Sequence, residues 1–166
     1  MRWAAPCVLI LALLAQAPEA PTLKYQPTPP EQPIPYSHRA HLKLGLECKT
    51  CHTMPDPGDF ATLPKTAVCM NCHNSVKKES PHIQKLAESH AAGREIVWRR
   101  IYRIPEYVFF SHKEHVKAGA TCAACHGPVA ERDVIRKEKD HSMAGCMECH
   151  RAAQASLACN YCHEPK

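Results

Sequence analysis

One pentapeptide, Cys-x-x-Cys-His, occurs five times in the chain. The 166 residues include eleven Cys and twelve His, and every Cys after position 7 belongs to one of these motifs. In chain order they define sites 1 to 5, at residues 48–52, 69–73, 122–126, 146–150 and 159–163. The ten thiols are those of Cys48, Cys51, Cys69, Cys72, Cys122, Cys125, Cys146, Cys149, Cys159 and Cys162.

This spacing is that of c-type haem attachment. Two thiols separated by two residues can form thioethers with the two vinyl groups of one porphyrin. The His that follows is then held beneath the ring, where its neutral imidazole binds iron. The sequence therefore predicts five covalently attached haem c groups, with proximal iron ligands His52, His73, His126, His150 and His163.

Two other kinds of cysteine chemistry have similar spacing. Cys48-x-x-Cys51 followed by Cys69-x-x-Cys72 fits a zinc ribbon, and a Cys-x-x-Cys series also suits disulfide or redox chemistry. Neither explains why His follows the second Cys in all five motifs. Haem attachment is the better interpretation.

Seven further His are available as distal ligands. His38 and His41 form a His-x-x-His pair behind Tyr36-Ser37, and His112 and His115 form another behind Phe110-Ser111. Each pair begins ten residues before a haem Cys. On a helix the two imidazoles lie about one turn apart, so one can serve the following haem and the other a neighbouring haem.

The fifth distal ligand stays open on residue patterns alone. His141 and Met143 both precede Cys146, whereas His82 and His90 lie on a predicted helix, where His90 shares the apolar face. An iron with two protein ligands has no open position and suits outer-sphere electron transfer. We therefore expect an electron carrier without catalytic residues rather than an enzyme.

An internal repeat organises these residues. Residues 36–73 and 110–150 form two similar halves offset by 74 residues at the first motif, and motif 159–163 follows, within one pentahaem domain at 36–166. One clear helix is predicted from Ser80 to Ala92, with Pro81 in its first turn and Gly93 at its end. With only three Phe and two Trp, the chain lacks an ordinary apolar core. The predicted fold is a small multihaem cytochrome c of mostly irregular chain and short α-helices, with haems forming the core and little or no β-sheet.

The N-terminal part has a different character. Residues 1–17, with Arg2 before an apolar run, predict a secretory signal peptide that contains Cys7, a retained anchor being the alternative. Residues 18–35 form a Pro-rich arm. Export agrees with haem attachment in the periplasm or outside the cytoplasmic membrane. The net charge of +5 is dispersed and does not indicate a nucleic-acid partner.

The segments YSHRAHLKLGLECKTCH, VCMNCH, REIVWRRIYRIPEYVFFSHKEHVKAGATCAACHG and HSMAGCMECHR resemble the multihaem class III cytochrome c family. They are similar in particular to the pentahaem cytochrome c subunit of alternative complex III and of related quinol-oxidising respiratory complexes. The resemblance implies a relay of packed haems, distal ligands at His38, His41, His112 and His115, and Met143 as the remaining one, with His141 or His90 as alternatives.

The predicted function is thus that of an exported pentahaem cytochrome that carries single electrons between a redox donor and an acceptor. We expect it to be part of, or partner to, a respiratory quinol-oxidising chain in the membrane. Two alternative functions are also compatible with the sequence. One is a homo-oligomeric cytochrome that polymerises into a haem wire, and the other is a multihaem reductase with one open haem.

Overall fold

The computed structural model describes residues 17–164, so all but the last residue of the predicted signal peptide, Cys7 included, lie outside the described residues. In the described part, short helices alternate with irregular chain. Eight are α-helical: α1 His38–Leu42, α2 Cys48–Cys51, α3 Thr66–His73, α4 Pro81–Ala91, α5 His112–Lys117, α6 Cys122–His126, α7 Met143–Ala152 and α8 Asn160–His163. A 3₁₀ turn occupies Val129–Glu131.

Small polar residues start several of these helices. The Ser37 hydroxyl accepts a hydrogen bond from the Ala40 amide at 3.0 Å, and Thr121 and Ser142 cap α6 and α7 in the same way. The predicted helix over 80–92 is present as α4, with Leu86 buried on its inner face. Ser80 is at the N-cap position, but its hydroxyl makes no capping hydrogen bond.

The described residues form no β-strand, only an isolated bridge between Thr22 and Lys139. Few apolar side chains are buried: Ala20, Ile34, Leu86 and Ala124 are the buried hydrophobic residues of residues 17–164. Many large apolar side chains are exposed instead, among them Phe60 at 70% and Leu44 at 76%. The fold class predicted from the sequence, short helices in irregular chain with little or no sheet, is confirmed.

The Pro-rich segment 18–35, called the arm below, packs along the helical part. Its Ala20 amide donates to the Ala124 carbonyl at 2.9 Å, beside site 3. Further along, the Gln32 side chain makes two hydrogen bonds of 2.9 Å with the backbone of Arg99. Ile34, which ends the arm, is buried. The arm thus contacts the second half of the repeat and the segment that joins the two halves.

A tight turn within the first half packs against helix α5 of the second half. Gly58 has a φ of +95°, and its carbonyl accepts from the Lys113 amide of α5 at 3.0 Å. A β-carbon at Gly58 would come within 2.4 Å of the Lys113 Cβ. The absence of a side chain here lets the turn approach α5 and place the next residue, Asp59, against it.

Candidate haem-binding sites

Helix α1 presents two imidazoles one turn apart. The Tyr36 ring packs edge-on against His38, with centroids 4.8 Å apart, and stacks on His41 at 4.4 Å. His41 Nδ1 is 2.8 Å from the Ser37 carbonyl oxygen and donates to it, so His41 Nε2 stays free. His38 Nδ1 is buried and has no hydrogen-bond partner within the described part of the chain.

Helix α5 repeats this arrangement with one difference. Phe110 lies edge-on to His112 at 4.8 Å and packs on His115 at 4.4 Å, and His115 Nδ1 donates to the Ser111 carbonyl at 2.7 Å. Unlike His38, however, His112 has an acceptor: its Nδ1 donates to the Asp59 carbonyl at 2.7 Å. The turn at Gly58 supplies that carbonyl.

Most of the motif histidines are also oriented by backbone carbonyls. Their Nδ1 atoms pair as follows: His52 with Thr62 O at 2.8 Å, His73 with Val76 O at 3.0 Å, His150 with Ser156 O at 2.8 Å and His163 with Tyr107 O at 3.2 Å. His126 is the exception, because no carbonyl oxygen of the described residues accepts from its ring. Its ring instead lies edge-on to Tyr102, with centroids 4.8 Å apart.

The imidazoles of α1 and α5 face motif imidazoles in four pairs. Their ring centroids are separated by 6.3 Å in His38–His52, 6.1 Å in His41–His73, 6.4 Å in His112–His126 and 6.0 Å in His115–His150. A metal–imidazole bond is about 2.0 Å long and the ring centre lies about 1.1 Å beyond the nitrogen, so two imidazoles on opposite sides of one metal have centroids about 6.2 Å apart. The four pairs match that separation.

The pairs differ in the angle between their ring planes. The planes are nearly parallel in His38–His52 and in His112–His126, at 8° each. They are inclined by 64° in His41–His73 and by 47° in His115–His150. The two halves of the repeat therefore each contain one parallel pair, at sites 1 and 3, and one inclined pair, at sites 2 and 4.

These residues fit haem c. Each of sites 1 to 4 combines two free thiols with two imidazoles at the separation that axial ligation requires. The shortage of buried apolar side chains fits as well, because porphyrin rings would supply the missing core. An ordinary apoprotein has no reason to hold four pairs of imidazoles at one common distance.

Burial keeps two of the facing imidazoles, those of His38 and His126, neutral. It lowers the pKa of His38 to about 4 and that of His126 to about 4, with neighbouring imidazoles adding to the effect. Burial likewise raises the pKa of Tyr36 to about 12, so its hydroxyl stays protonated. A neutral imidazole has the free lone pair that iron needs.

Thiols of different motifs that lie close enough to shift one another's pKa indicate which sites are neighbours. Burial raises the pKa of Cys69, at site 2, and the nearby Cys51 thiol of site 1 raises it further. Burial also raises the Cys122 pKa, and the nearby site-1 thiol of Cys48 adds to the shift. Sites 2, 1 and 3 are therefore neighbours in that order.

The same evidence extends the series beyond site 3. After burial, the site-4 thiols of Cys149 and Cys146 are the main causes of the raised pKa of Cys125. The Cys162 thiol of site 5 similarly raises the pKa of Cys146. The motifs thus lie in the spatial order 2–1–3–4–5, with the first motifs of the two halves meeting in the middle.

Site 5 differs from the other four. No histidine of the described residues faces His163 at the axial distance, and the neighbouring ring is that of Tyr107, with centroids 6.0 Å apart. Met143, expected as the remaining ligand, begins α7 one turn before Cys146, and it is 65% exposed.

The other candidate histidines have different surroundings. His141 Nε2 donates to the Cys125 carbonyl at 2.7 Å, and its ring lies 5.8 Å from that of His126. His90 Nδ1 is 3.1 Å from the Thr66 hydroxyl. His82 is exposed on α4. His141 thus lies almost as close to a motif histidine as the α1 and α5 imidazoles do, but its Nε2 is engaged by the Cys125 carbonyl.

The arrangement does not form a zinc ribbon in the part of the chain that is described. Across residues 17–164, no group of three or more His, Cys, Asp or Glu is gathered closely enough to hold a metal ion. The ten motif cysteines are free thiols, so no disulfide links any two of them.

Two features of the sites escape sequence reasoning. Tyr102 packs against His126 and His141, with centroids 4.8 and 4.5 Å away, and its hydroxyl accepts from the Glu138 amide at 3.0 Å. Its place in the segment between the two halves offered no signal of this role. The carbonyl oxygens that orient the imidazoles are invisible in sequence, because every residue has one.

No helix among the described residues is both long and apolar enough to cross a membrane. Two family models match the chain: the class III cytochrome c family over residues 14–95, and cytochrome c7 and related cytochromes c over residues 108–164. The menaquinone reductase multihaem cytochrome c subunit of Nitratidesulfovibrio vulgaris is 33% identical over 162 aligned residues. That alignment covers 81% of this chain and 77% of the relative.

Proposed function

Since the chain belongs to the class III family of multihaem cytochromes c, which carry covalently bound haem and transfer electrons, we propose that it is an exported pentahaem relay serving a quinone-linked respiratory complex. The observation that carries the proposal is the set of four imidazole pairs with centroids 6.0 to 6.4 Å apart. When bound, haem supplies an iron that gains and loses one electron at a time.

The residues of this chain would hold five such groups. The ten motif thiols attach them, and the five motif histidines bind iron from one side. His38 and His41 of α1 complete sites 1 and 2, whereas His112 and His115 of α5 complete sites 3 and 4. Met143 is proposed for site 5 because it is exposed at the start of α7, whereas His141 Nε2 is engaged by the Cys125 carbonyl.

Two protein ligands at each haem iron would leave no position for substrate and would suit the transfer of single electrons. The aromatic ring before each α1 or α5 pair and the carbonyl oxygens on Nδ1 fix the imidazoles before an electron arrives. The proximity of motif thiols in the order 2–1–3–4–5 supports successive haems lying side by side. This chain therefore supports a relay whose two ends are sites 2 and 5.

The proposed partners are a redox protein at one end and a membrane complex at the other. The relative from Nitratidesulfovibrio vulgaris is named as a subunit of menaquinone reductase, which supports a quinone-linked partner. The name of that relative implies that electrons are delivered to menaquinone, whereas the sequence of this chain alone suggested quinol oxidation. We propose delivery to the quinone pool, from a donor outside the cytoplasmic membrane.

The haem count and location are tested on protein purified from its own host after cell fractionation. We expect the mass of the mature chain plus five haem c groups, in the periplasmic or membrane fraction. Membranes containing the protein should oxidise its reduced form when a menaquinone analogue is added. A count below five, or a colourless cytoplasmic protein, would contradict the proposal.

One observation favours a second function, that of a reductase with an open haem: site 5 has no facing histidine in the described residues. Carbon monoxide added to the reduced protein separates the two. We expect no rapid binding by the natural chain and one equivalent bound by Met143→Ala, while Met147→Ala, on the same helix, serves as the control. Rapid binding of one equivalent to the natural chain would favour the reductase.

A further inference from the structure

Hydrogen bonds to the ligand imidazoles are distributed unevenly among the four paired sites. At sites 2 and 4 both imidazoles donate from Nδ1 to a carbonyl oxygen, at distances of 2.7 to 3.0 Å. At site 1 only His52 has such an acceptor, because His38 Nδ1 is buried without a partner. At site 3 only His112 has one among the described residues.

A carbonyl acceptor on Nδ1 makes an imidazole a stronger donor to iron. The acceptor pulls the Nδ1 proton and leaves more electron density on Nε2, which stabilises the more positive ferric state. Two acceptors therefore lower a site's reduction potential more than one does. The hydrogen bonds alone therefore predict lower reduction potentials at sites 2 and 4 than at sites 1 and 3.

The surroundings act in the same direction. Sites 1 and 3 lie in the middle of the series, where the Nδ1 atom of His38 at site 1 and the Ala124 side chain within motif 3 are buried. A desolvated environment disfavours the ferric site, which has one more positive charge than the ferrous site. Both effects raise the potentials at the centre of the molecule.

We propose that the paired sites form a relay with a high-potential centre: sites 1 and 3 hold electrons more tightly than their outer neighbours, sites 2 and 4. This deepens the proposed function and rests on it. A donor that loses one electron to site 2 is oxidised by one electron. That electron is then drawn to the central pair, sites 1 and 3. The second of two electrons then shares that pair, so the centre stores two electrons between the two ends.

The ring angles make the proposal testable on the natural protein. Near-parallel axial imidazoles split the iron d orbitals that they interact with and give a rhombic low-spin ferric EPR spectrum. Inclined planes keep those orbitals closer in energy and give a strongly anisotropic spectrum with a large maximum g value. The 8° pairs at sites 1 and 3 are thus distinguishable from the 64° and 47° pairs at sites 2 and 4.

The experiment is a redox titration of the pentahaem protein, followed by EPR as potential is lowered. We expect the rhombic signals of the parallel pairs to disappear before the anisotropic signals of the inclined pairs. Loss of the anisotropic signals first, or together with the rhombic ones, would overturn the high-potential centre. A protein without rhombic bis-histidine signals, or with fewer than five haems, would instead overturn the proposed function.

Variants of the distal histidines independently identify which site gives each component of the redox titration. Thioether ligation raises a site's potential, so His38→Met and His41→Met should each move one component of the titration. We expect the component moved by His38→Met to start at a higher potential than the one moved by His41→Met, its matched control on the same helix. The same order is expected for His112→Met and His115→Met, and the reverse order in either half would refute the inference. If a variant does not fold, the titration of the natural protein still decides.

Discussion

At the residue scale, the backbone does as much to position the ligands as the side chains do. Asp59 contributes to site 3 only through its carbonyl oxygen, which accepts from His112 at 2.7 Å. That carbonyl reaches α5 because Gly58 lets the turn come close. A ligand's strength as a donor thus depends on a residue without any metal-binding group.

Gly58→Ala should disturb site 3 without changing any ligand. The new β-carbon would meet Lys113 Cβ at 2.4 Å, so α5 must shift, at a cost of about 1–3 kcal/mol beyond the backbone strain. Gly45→Ala is the matched control, because Gly45 also has positive φ, +81°, but nothing within 4 Å of a β-carbon. We expect thermal unfolding and the EPR spectrum to change more in Gly58→Ala. Equal effects of the two variants would refute this role of the turn.

Glu138 gives the molecule a specific acid sensitivity. It is buried, and its two carboxylate oxygens accept from Arg132 at 2.6 and 3.1 Å. The Arg132 hydrogen bond, helped by the charges of Arg132, Arg136 and Lys139, lowers the Glu138 pKa below its ordinary value of 4.5. The lowered pKa means that ionised Glu138 stabilises the fold when the pH is above 4.5, the ordinary pKa. This stabilisation is lost as the pH falls through the lowered pKa of the folded state.

Glu138→Gln keeps the shape of the side chain and removes its charge. We expect its melting temperature to be lower than that of the natural protein at pH 7 and the difference to shrink steadily below about pH 4.5. Haem propionates titrate in both proteins, so the difference between the two isolates Glu138. Asp133→Asn, at an exposed ion pair with Arg39, is the control and should show a smaller effect. A difference that grows in acid would contradict the assignment.

At the scale of elements, sequence reasoning succeeded where chemistry is local. The cap, the Pro and the apolar face of residues 80–92 are short-range signals, and α4 has nearly those bounds. The repeat also indicated that α1 and α5 would be equivalent, with an aromatic residue and Ser before each pair. It did not show which imidazole faces which motif, because that depends on long-range contacts such as the turn at Gly58 against α5.

The course of the arm likewise could not be read from the sequence. Proline-rich composition favours extended chain but does not say what the chain lies against. In the structure, Ala20 pairs with Ala124 of the second half and Gln32 pairs with Arg99 of the segment between the halves. These contacts involve backbone groups at one end and a single amide side chain at the other, which no periodic pattern reveals.

Gln32→Ala should loosen the arm. It removes two hydrogen bonds to the Arg99 backbone, and we expect about 1 kcal/mol lower stability because the site is partly exposed to water. Limited proteolysis should then cut residues 18–35 faster. Gln84→Ala on the exposed surface of α4 is the control, and it should leave both measurements unchanged. Unchanged proteolysis in Gln32→Ala would show that other contacts hold the arm.

At the scale of the whole molecule, the composition is explained by what fills the interior. The described residues bury four hydrophobic side chains, and none is fully enclosed. A chain of this length cannot fold on so small an apolar core, so porphyrin must provide most of the buried surface. The net charge would change as well, because the ten propionates of the five proposed haems would offset the net +5 of the chain.

The order 2–1–3–4–5 predicts that the sites are unequal in their importance for folding. Cys51 of site 1 lies near site 2 and Cys48 of site 1 lies near site 3, so loss of site 1 would separate the two halves. Site 5 has only site 4 as a neighbour among these thiols, and its helix α8 is largely exposed. We therefore expect Cys159→Ser with Cys162→Ser to accumulate as a folded tetrahaem protein.

The matched variant is Cys48→Ser with Cys51→Ser, which also removes one attachment site. Here we expect little folded protein, a large loss of helical circular dichroism and rapid proteolysis, because the central packing between the halves is missing. The two pairs remove the same number of thiols, so general effects of incomplete haem attachment cancel. If both variants folded equally well, site 1 would not be central and the spatial order would be wrong. If both failed equally, each haem would contribute alike to the core, wherever it lies.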